Sequence, residues 1–130
     1  MTAQRLMRAV TLAGLLLAGA AAVTAQESAA QRGNTKFQHS CAPCHGDGPG
    51  DDGHAMLPGT DALRIKYKGT VPPLLEHRAD LPAPTLKVFL RNGSFSMPPF
   101  RPTELTDGEI EDIAAYLAES SKAAAAAQRR

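Results

Sequence analysis

The chain has 130 residues, 43% of them hydrophobic, so a single domain is expected and a large multidomain enzyme is excluded. Alanine supplies much of the apolar content and tryptophan is absent, leaving few bulky side chains to fill an interior. The balance of 14 Lys and Arg against 13 Asp and Glu gives a formal charge of +1, without the basic excess of a nucleic-acid binder.

Residues 1–25 read as a cleavable signal peptide: Arg5 and Arg8 lead an uncharged apolar run from Ala9 to Val23, and Val23, Thr24 and Ala25 form a small-residue cleavage site. The run is shorter than the roughly 20 apolar residues that span a bilayer, so no membrane span is expected after cleavage. Export places the mature, nearly neutral chain in an oxidising compartment, the bacterial periplasm. Residues 26–31 are polar and alanine-rich and read as a mobile lead-in.

The domain is expected over residues 32–119. A short helix is predicted over 32–40, with Gly33 and Phe37 four apart on one face. Gly46, Gly48, Pro49, Gly50 and Gly53 force a loop, and a second loop-rich stretch is predicted from Pro58 through Pro72, Pro73 and Pro82 to Pro84. Thr85 to Asn92 lies between Pro84, suited to a first helical turn, and Gly93, suited to a left-handed cap, and so reads as a helix. Thr106 and Glu109 have capping-box spacing, with Leu105 and Ile110 as the hydrophobic staple. Ile110, Ile113, Ala114 and Leu117 then share one helical face. Residues 120–130 form an alanine-rich basic tail, free to extend that helix or fray. The expectation is an all-α domain of three or more short helices and long loops.

Chemistry concentrates at Cys41, Ala42, Pro43, Cys44 and His45, the C-x-x-C-H pattern of c-type haem attachment. Two thiols at this spacing can add to the two vinyl groups on one porphyrin edge, while the adjacent imidazole is carried to the iron. Other readings are a disulfide loop, a redox C-x-x-C or half a zinc site. Zinc needs a fourth ligand, for which only His39, His54 or His77 stand by. A thioredoxin-like redox site expects alternating strands and helices that this chain lacks.

A second axial ligand must come from far along the chain. Met97 is the candidate, in the loop Asn92 to Phe100 and stiffened by Pro98 and Pro99. A thioether favours ferrous iron and raises the potential relative to two nitrogens. His77 is the bis-histidine alternative. Met56 and His54 follow His45 closely and belong on its own side, and His39 reads as a surface residue. The proximal imidazole needs an acceptor for its second nitrogen, for which Pro58 or a nearby carbonyl is suggested. The acidic loop Asp47 to Asp52 fails the EF-hand pattern and reads as solvated.

On these residues the chain resembles a monohaem class I cytochrome c over about residues 32–119. The resemblance implies one covalent haem c on Cys41 and Cys44, iron ligated by His45 and Met97, Pro58 in the proximal loop, and Tyr116 and Leu117 on the last helix as haem packing or second shell. The first and last helices then cross near the haem edge, giving Gly33 and Tyr116 a shared role. The stretch Leu90 to Phe100 is similar to the small cytochromes that serve flavin-dependent dehydrogenases such as p-cresol methylhydroxylase.

The implied function is electron transfer without catalysis. The donor would be a flavin- or quinone-dependent dehydrogenase and the acceptor a respiratory cytochrome or oxidase, with Arg64, Lys66, Lys68, Arg91 and Arg101 as steering charges. Alternatives are a permanently bound cytochrome subunit of a dehydrogenase complex and a haem sensor or enzyme with an open iron position.

Overall fold

The computed structural model describes residues 26–51 and 53–130; the signal-peptide expectation for residues 1–25 lies outside them. The described residues form five α-helices and one short 3-10 turn, with no strand. In chain order these are α1 (Ala29–Ser40), α2 (Ala42–His45), α3 (Pro58–Tyr67), the 3-10 turn (Leu75–His77), α4 (Ala83–Asn92) and α5 (Asp107–Ala127).

Helix α1 begins three residues earlier than expected. Ser28 Oγ accepts from the Gln31 N–H at 3.1 Å, and Gln31 Oε1 accepts from the Ser28 N–H at 2.7 Å, a reciprocal cap that satisfies two helix-end donors. The lead-in therefore gives up residues 29–31 to the helix, and Ala30 joins Gly33 and Phe37 on its buried face.

Helix α5 starts where expected. Thr106 Oγ1 accepts from the Glu109 N–H at 3.2 Å, and Glu109 Oε2 accepts from the Thr106 N–H at 2.8 Å. The helix then continues through the alanine-rich segment to Ala127, with Ser121 buried on the way. High helix propensity carries these residues although they bury little.

The two long helices pack on each other, and Gly33 marks the closest approach. A Cβ built there would lie 1.9 Å from Asp112 O. The aromatic contact comes one turn on, where the Phe37 and Tyr116 rings sit 5.4 Å apart at 50°. Gly33 and Tyr116 both serve this crossing, Gly33 against Asp112 and Tyr116 against Phe37.

Ion pairs flank the crossing. Arg32 grips Asp112 through two hydrogen bonds of 2.7 and 2.8 Å, and Lys36 reaches Glu109 at 2.6 Å. The Lys36 contact, together with the backbone and hydroxyl of Thr106, holds the Glu109 carboxyl down at about 2. A carboxyl whose folded value is depressed contributes stability above its ordinary value of 4.5, and that contribution is lost as pH falls through the folded value. Acid titration of stability is therefore expected to fall more steeply between about pH 4.5 and pH 2 in the wild type than in Glu109→Gln, read from denaturant midpoints at each pH. Parallel pH profiles would remove Glu109 from the acid response.

The loop-rich reading from Pro58 to Pro84 is corrected by α3, which occupies its first ten residues. Pro58 takes the first helical turn, Arg64 pairs with Asp61 one turn back, and Lys68 closes the helix with a left-handed φ of 49°. Thr60 is the helix's only buried residue, and its hydroxyl donates to Gly46 O at 3.0 Å. Helix α4 likewise begins two residues before its expected start, with Pro84 inside its first turn, and ends at Gly93 as expected, although Gly93 has φ 70° and ψ 179° and so caps it in an extended positive-φ conformation open to glycine and not in the left-handed helical one.

The core is one cluster of Phe37, Leu81, Leu86, Leu90, Leu105, Ile110, Ile113 and Leu117, drawn from α1, α4, α5 and two loops. Leu105 and Ile110, the expected staple pair, are both 1% exposed.

Candidate functional site

Helix α1 hands the chain directly to the cysteine motif. The Cys41 N–H caps α1 on Phe37 O at 2.8 Å, and the Cys44 and His45 N–H groups turn back onto Cys41 O at 3.1 and 2.8 Å. Pro43 sits in the first turn of α2, where its missing N–H costs nothing. Two free thiols and an imidazole therefore share a single helical turn. Burial, with Cys44 as neighbour, pushes the Cys41 thiol up to about 11.

The His45 imidazole is sunk against α3. A Cβ at Gly59 would lie 2.7 Å from His45 Cε1, 2.8 Å from its Nδ1 and 2.7 Å from Cys44 O, so only glycine lets the helix approach the ring this closely. Burial lowers the pKa of His45, favouring the neutral imidazole that offers a lone pair to a metal.

Nδ1 is buried without a hydrogen-bond partner. The acceptor suggested at Pro58 or a neighbouring carbonyl is therefore not found: Pro58 is exposed at the start of α3, and the residue against the ring is Gly59. No period or motif marks Gly59 in the sequence; only the fold brings α3 onto α2. His54, Met56 and Pro58 share a shallow depression of about 240 Å³ at this end of α3.

Met97 lies beyond α4. Its N–H donates to Ser94 O at 2.9 Å and its carbonyl accepts from the Ser94 N–H at 3.0 Å, so a two-residue hairpin fixes its backbone. Cys41 and Met97, far apart in sequence, are both partly buried against the core cluster, as are Leu75, Phe100 and Tyr116. Leu117 lies within the core at 1% exposure. The Tyr116 hydroxyl donates to the Glu76 carboxylate on the 3-10 turn, and burial with this contact pushes it up to about 12. Ser120 Oγ donates to Glu76 O at 2.9 Å. The Glu76 contacts pin the 3-10 turn to α5 and carry no sequence signal. His77 on that turn and His39 at the end of α1 are exposed.

Of the expected steering charges, Arg91 has a different task. It is largely buried; Nη1 donates to Phe100 O at 3.0 Å, and Nη2 donates to Leu105 O at 2.8 Å and to Asp107 Oδ1 at 2.7 Å. It thereby fastens the loop carrying Met97 to the start of α5. Arg101 pairs with Glu104 and Arg64 with Asp61, while the Lys66 ammonium lies 5.2 Å from the centre of the Tyr67 ring.

The donor set fits a c-type haem: two free thiols on one turn, a half-buried imidazole whose buried Nδ1 lacks a partner beside a glycine cradle, and a thioether on a fixed loop packed against the same core cluster as Cys41. Among the described residues no group of three or more His, Cys, Asp or Glu is arranged to hold a metal ion, and no helix is long and apolar enough to cross a membrane.

An all-α domain built around a C-x-x-C-H turn defines a class I c-type cytochrome, a carrier of covalently bound haem c whose function is electron transfer between redox proteins. Residues 28–117 match the family model described as cytochrome c oxidase, cbb3-type, subunit III, and the chain belongs to that family. No curated protein and no solved structure matches the chain.

Proposed function

We propose that the protein is a periplasmic electron carrier in which Cys41 and Cys44 would hold haem c through two thioethers, while His45 and Met97 would supply the nitrogen and sulfur ligands of its iron. The reading rests on one observation: two free thiols and a half-buried imidazole share a single helical turn. When bound, haem c supplies a one-electron ferric–ferrous couple.

The protein residues then set how that couple behaves. Burial shifts His45 toward its neutral form, and Gly59 lies against its ring. Met97, locked in its hairpin, provides a soft donor that favours the ferrous state. Tyr116 and Leu117 complete the apolar surround beside Phe37, and Pro58 lines the His45 side. If His45 and Met97 both held the iron, a small ligand would have to displace one of them, which would favour an electron carrier over a small-ligand sensor or oxygen-using enzyme.

Export is supported by Arg5, Arg8, the apolar run to Val23 and the Ala25 site. A flavin- or quinone-dependent dehydrogenase is the proposed donor, in keeping with the resemblance of Leu90 to Phe100 to cytochromes serving such enzymes. A respiratory cytochrome or oxidase is the proposed acceptor. The family description, which names an oxidase subunit, also favours a second reading as a permanently bound subunit of a respiratory complex. Co-purification at fixed stoichiometry would select that reading over a free shuttle.

Haem stain is expected to follow the polypeptide on denaturing gels, and Cys41→Ser or Cys44→Ser to weaken the attachment. Met97→Ala is expected to keep the haem, lower the reduction potential and abolish the weak far-red sulfur-to-iron absorption. An unchanged spectrum would transfer the ligand role to His77. Rapid carbon monoxide binding by the reduced wild type would overturn the closed-iron reading.

A further inference from the structure

Phe95 is 99% exposed and adopts a φ of 53°. It is the first of two residues at the tip of the hairpin closed by Ser94 and Met97. In two-residue connections a left-handed first position ordinarily goes to glycine or asparagine, because a bulkier side chain crowds the adjacent carbonyl. A phenylalanine here is disfavoured by its backbone, and its ring, wholly in water, gains nothing from burial. Among the described residues no contact offsets either disadvantage.

The surroundings extend the apolar surface. Val88 and Phe89 on α4 are exposed, as are Pro98 and Pro99. The loop folds back onto the end of α4, where a Cβ at Gly93 would meet Met97 O at 2.7 Å and Pro99 N at 3.1 Å. No Asp or Glu occurs between Asp80 and Glu104, whereas Lys87, Arg91 and Arg101 do. Their counter-charges are Asp107, shared by Lys87 and Arg91, and Glu104, paired with Arg101. Three cations against two carboxylates leave a net excess of one positive charge around α4 and its loop, carried at the surface by Lys87 and Arg101 because Arg91 is largely buried.

We propose that Phe95 is the anchor by which the protein docks on its redox partner, its ring entering an apolar depression rimmed by carboxylates. The proposal rests on the electron-carrier reading above and adds the partner surface. An aromatic side chain buries roughly 150–250 Å², and a single rigid ring seated in a pocket is the kind of residue that dominates an interface. Its neighbour but one, Met97, brings the docked partner beside the proposed iron ligand.

The test uses the holoprotein on gold electrodes bearing a mixed monolayer of carboxylate- and phenyl-terminated thiols, with carboxylate-only and amine-only monolayers for comparison. Phe95→Gly is expected to melt at the same temperature or higher, since glycine takes a φ of 53° freely. On the mixed monolayer its electroactive coverage should fall by roughly tenfold or more relative to wild type, while the two proteins cover the carboxylate-only surface equally.

Equal coverage on the mixed monolayer would overturn the anchor, and wild-type preference for the amine surface would overturn the acidic rim. Phe95-dependent dimers in sedimentation, or Phe95-dependent binding to phosphatidylglycerol vesicles, would replace the partner with a second copy or a membrane and overturn the proposal. Absence of any reversible couple in the wild type would overturn the electron-carrier reading itself, whereas a reversible couple with Phe95-independent adsorption overturns the anchor alone.

Discussion

Gly33→Ala is expected to destabilise the domain by about 2–4 kcal/mol, despite alanine being the better helix former. The added Cβ would lie 1.9 Å from Asp112 O, 2.4 Å from Asp112 C and 2.9 Å from Ile113 N. All three are backbone atoms of a long helix and cannot swing aside as a side-chain tip would. The helices must separate, and separation opens the contacts of Phe37 with the α5 face carrying Ile113 and Tyr116. It also stretches the Arg32–Asp112 pair that flanks the crossing. The helix-propensity gain of up to about 1 kcal/mol works in the opposite direction and is too small to win. Gly108→Ala isolates that gain: it lies in the first turn of α5 with nothing within 4 Å of its would-be Cβ, so it should be neutral or stabilising by up to about 1 kcal/mol. Denaturant unfolding of both variants measures the difference. A Gly33→Ala protein as stable as Gly108→Ala would mean that the helices do not cross in contact at this glycine. Because α1 leads directly into Cys41, the same separation should also displace the cysteine turn, read as a lower yield of covalently attached haem.

What could be read from the sequence divides along a physical line. Local signals came through. Thr106 and Glu109 announce the start of α5 because a capping box is a four-residue interaction, and Cys41, Cys44 and His45 are recognisable as a C-x-x-C-H motif because all three lie on one turn. Ser28 and Gln31 carry the same capping spacing, but the alanines that follow provide no bulky apolar face to draw attention to it, so α1 was expected three residues late. Helix α3 was illegible for a different reason. Its buried residue is a threonine, held by the distant carbonyl of Gly46, and its Ile65 faces water at 58% exposure. No apolar periodicity could reveal it. The Gly59 cradle, the Glu76 contacts and the Arg91 clasp are similarly products of tertiary proximity. Arg91 in sequence is one more basic residue, and only its three acceptors distinguish it from a steering charge.

Arg91→Ala is expected to cost about 3 kcal/mol and to loosen the Met97 loop selectively. Its guanidinium serves Phe100 O, Leu105 O and Asp107 at once, and removing it leaves two carbonyls without this donor, at roughly 1–3 kcal/mol for each group left unsatisfied when buried. Water can reach the more open of them, which keeps the total in the lower half of that combined range. The Phe100 N–H remains bonded to Leu90 O at 2.7 Å, so the loop keeps one tie to α4 and α1, α4 and α5 retain their packing. The loss should therefore appear first in the hairpin: faster hydrogen exchange of the Ser94 and Met97 N–H groups, and a far-red sulfur-to-iron band that fades at temperatures where helical circular dichroism is intact. Arg91→Lys separates charge from shape. An ammonium can retain Asp107, but it lacks the planar fork that spans all three acceptors, so lysine should recover only a minor part of the stability and of the exchange protection. Full recovery with lysine would reduce the role of Arg91 to the charge pair with Asp107. Unchanged exchange in Arg91→Ala would show that the Ser94–Met97 bonds and the two prolines hold the proposed ligand unaided.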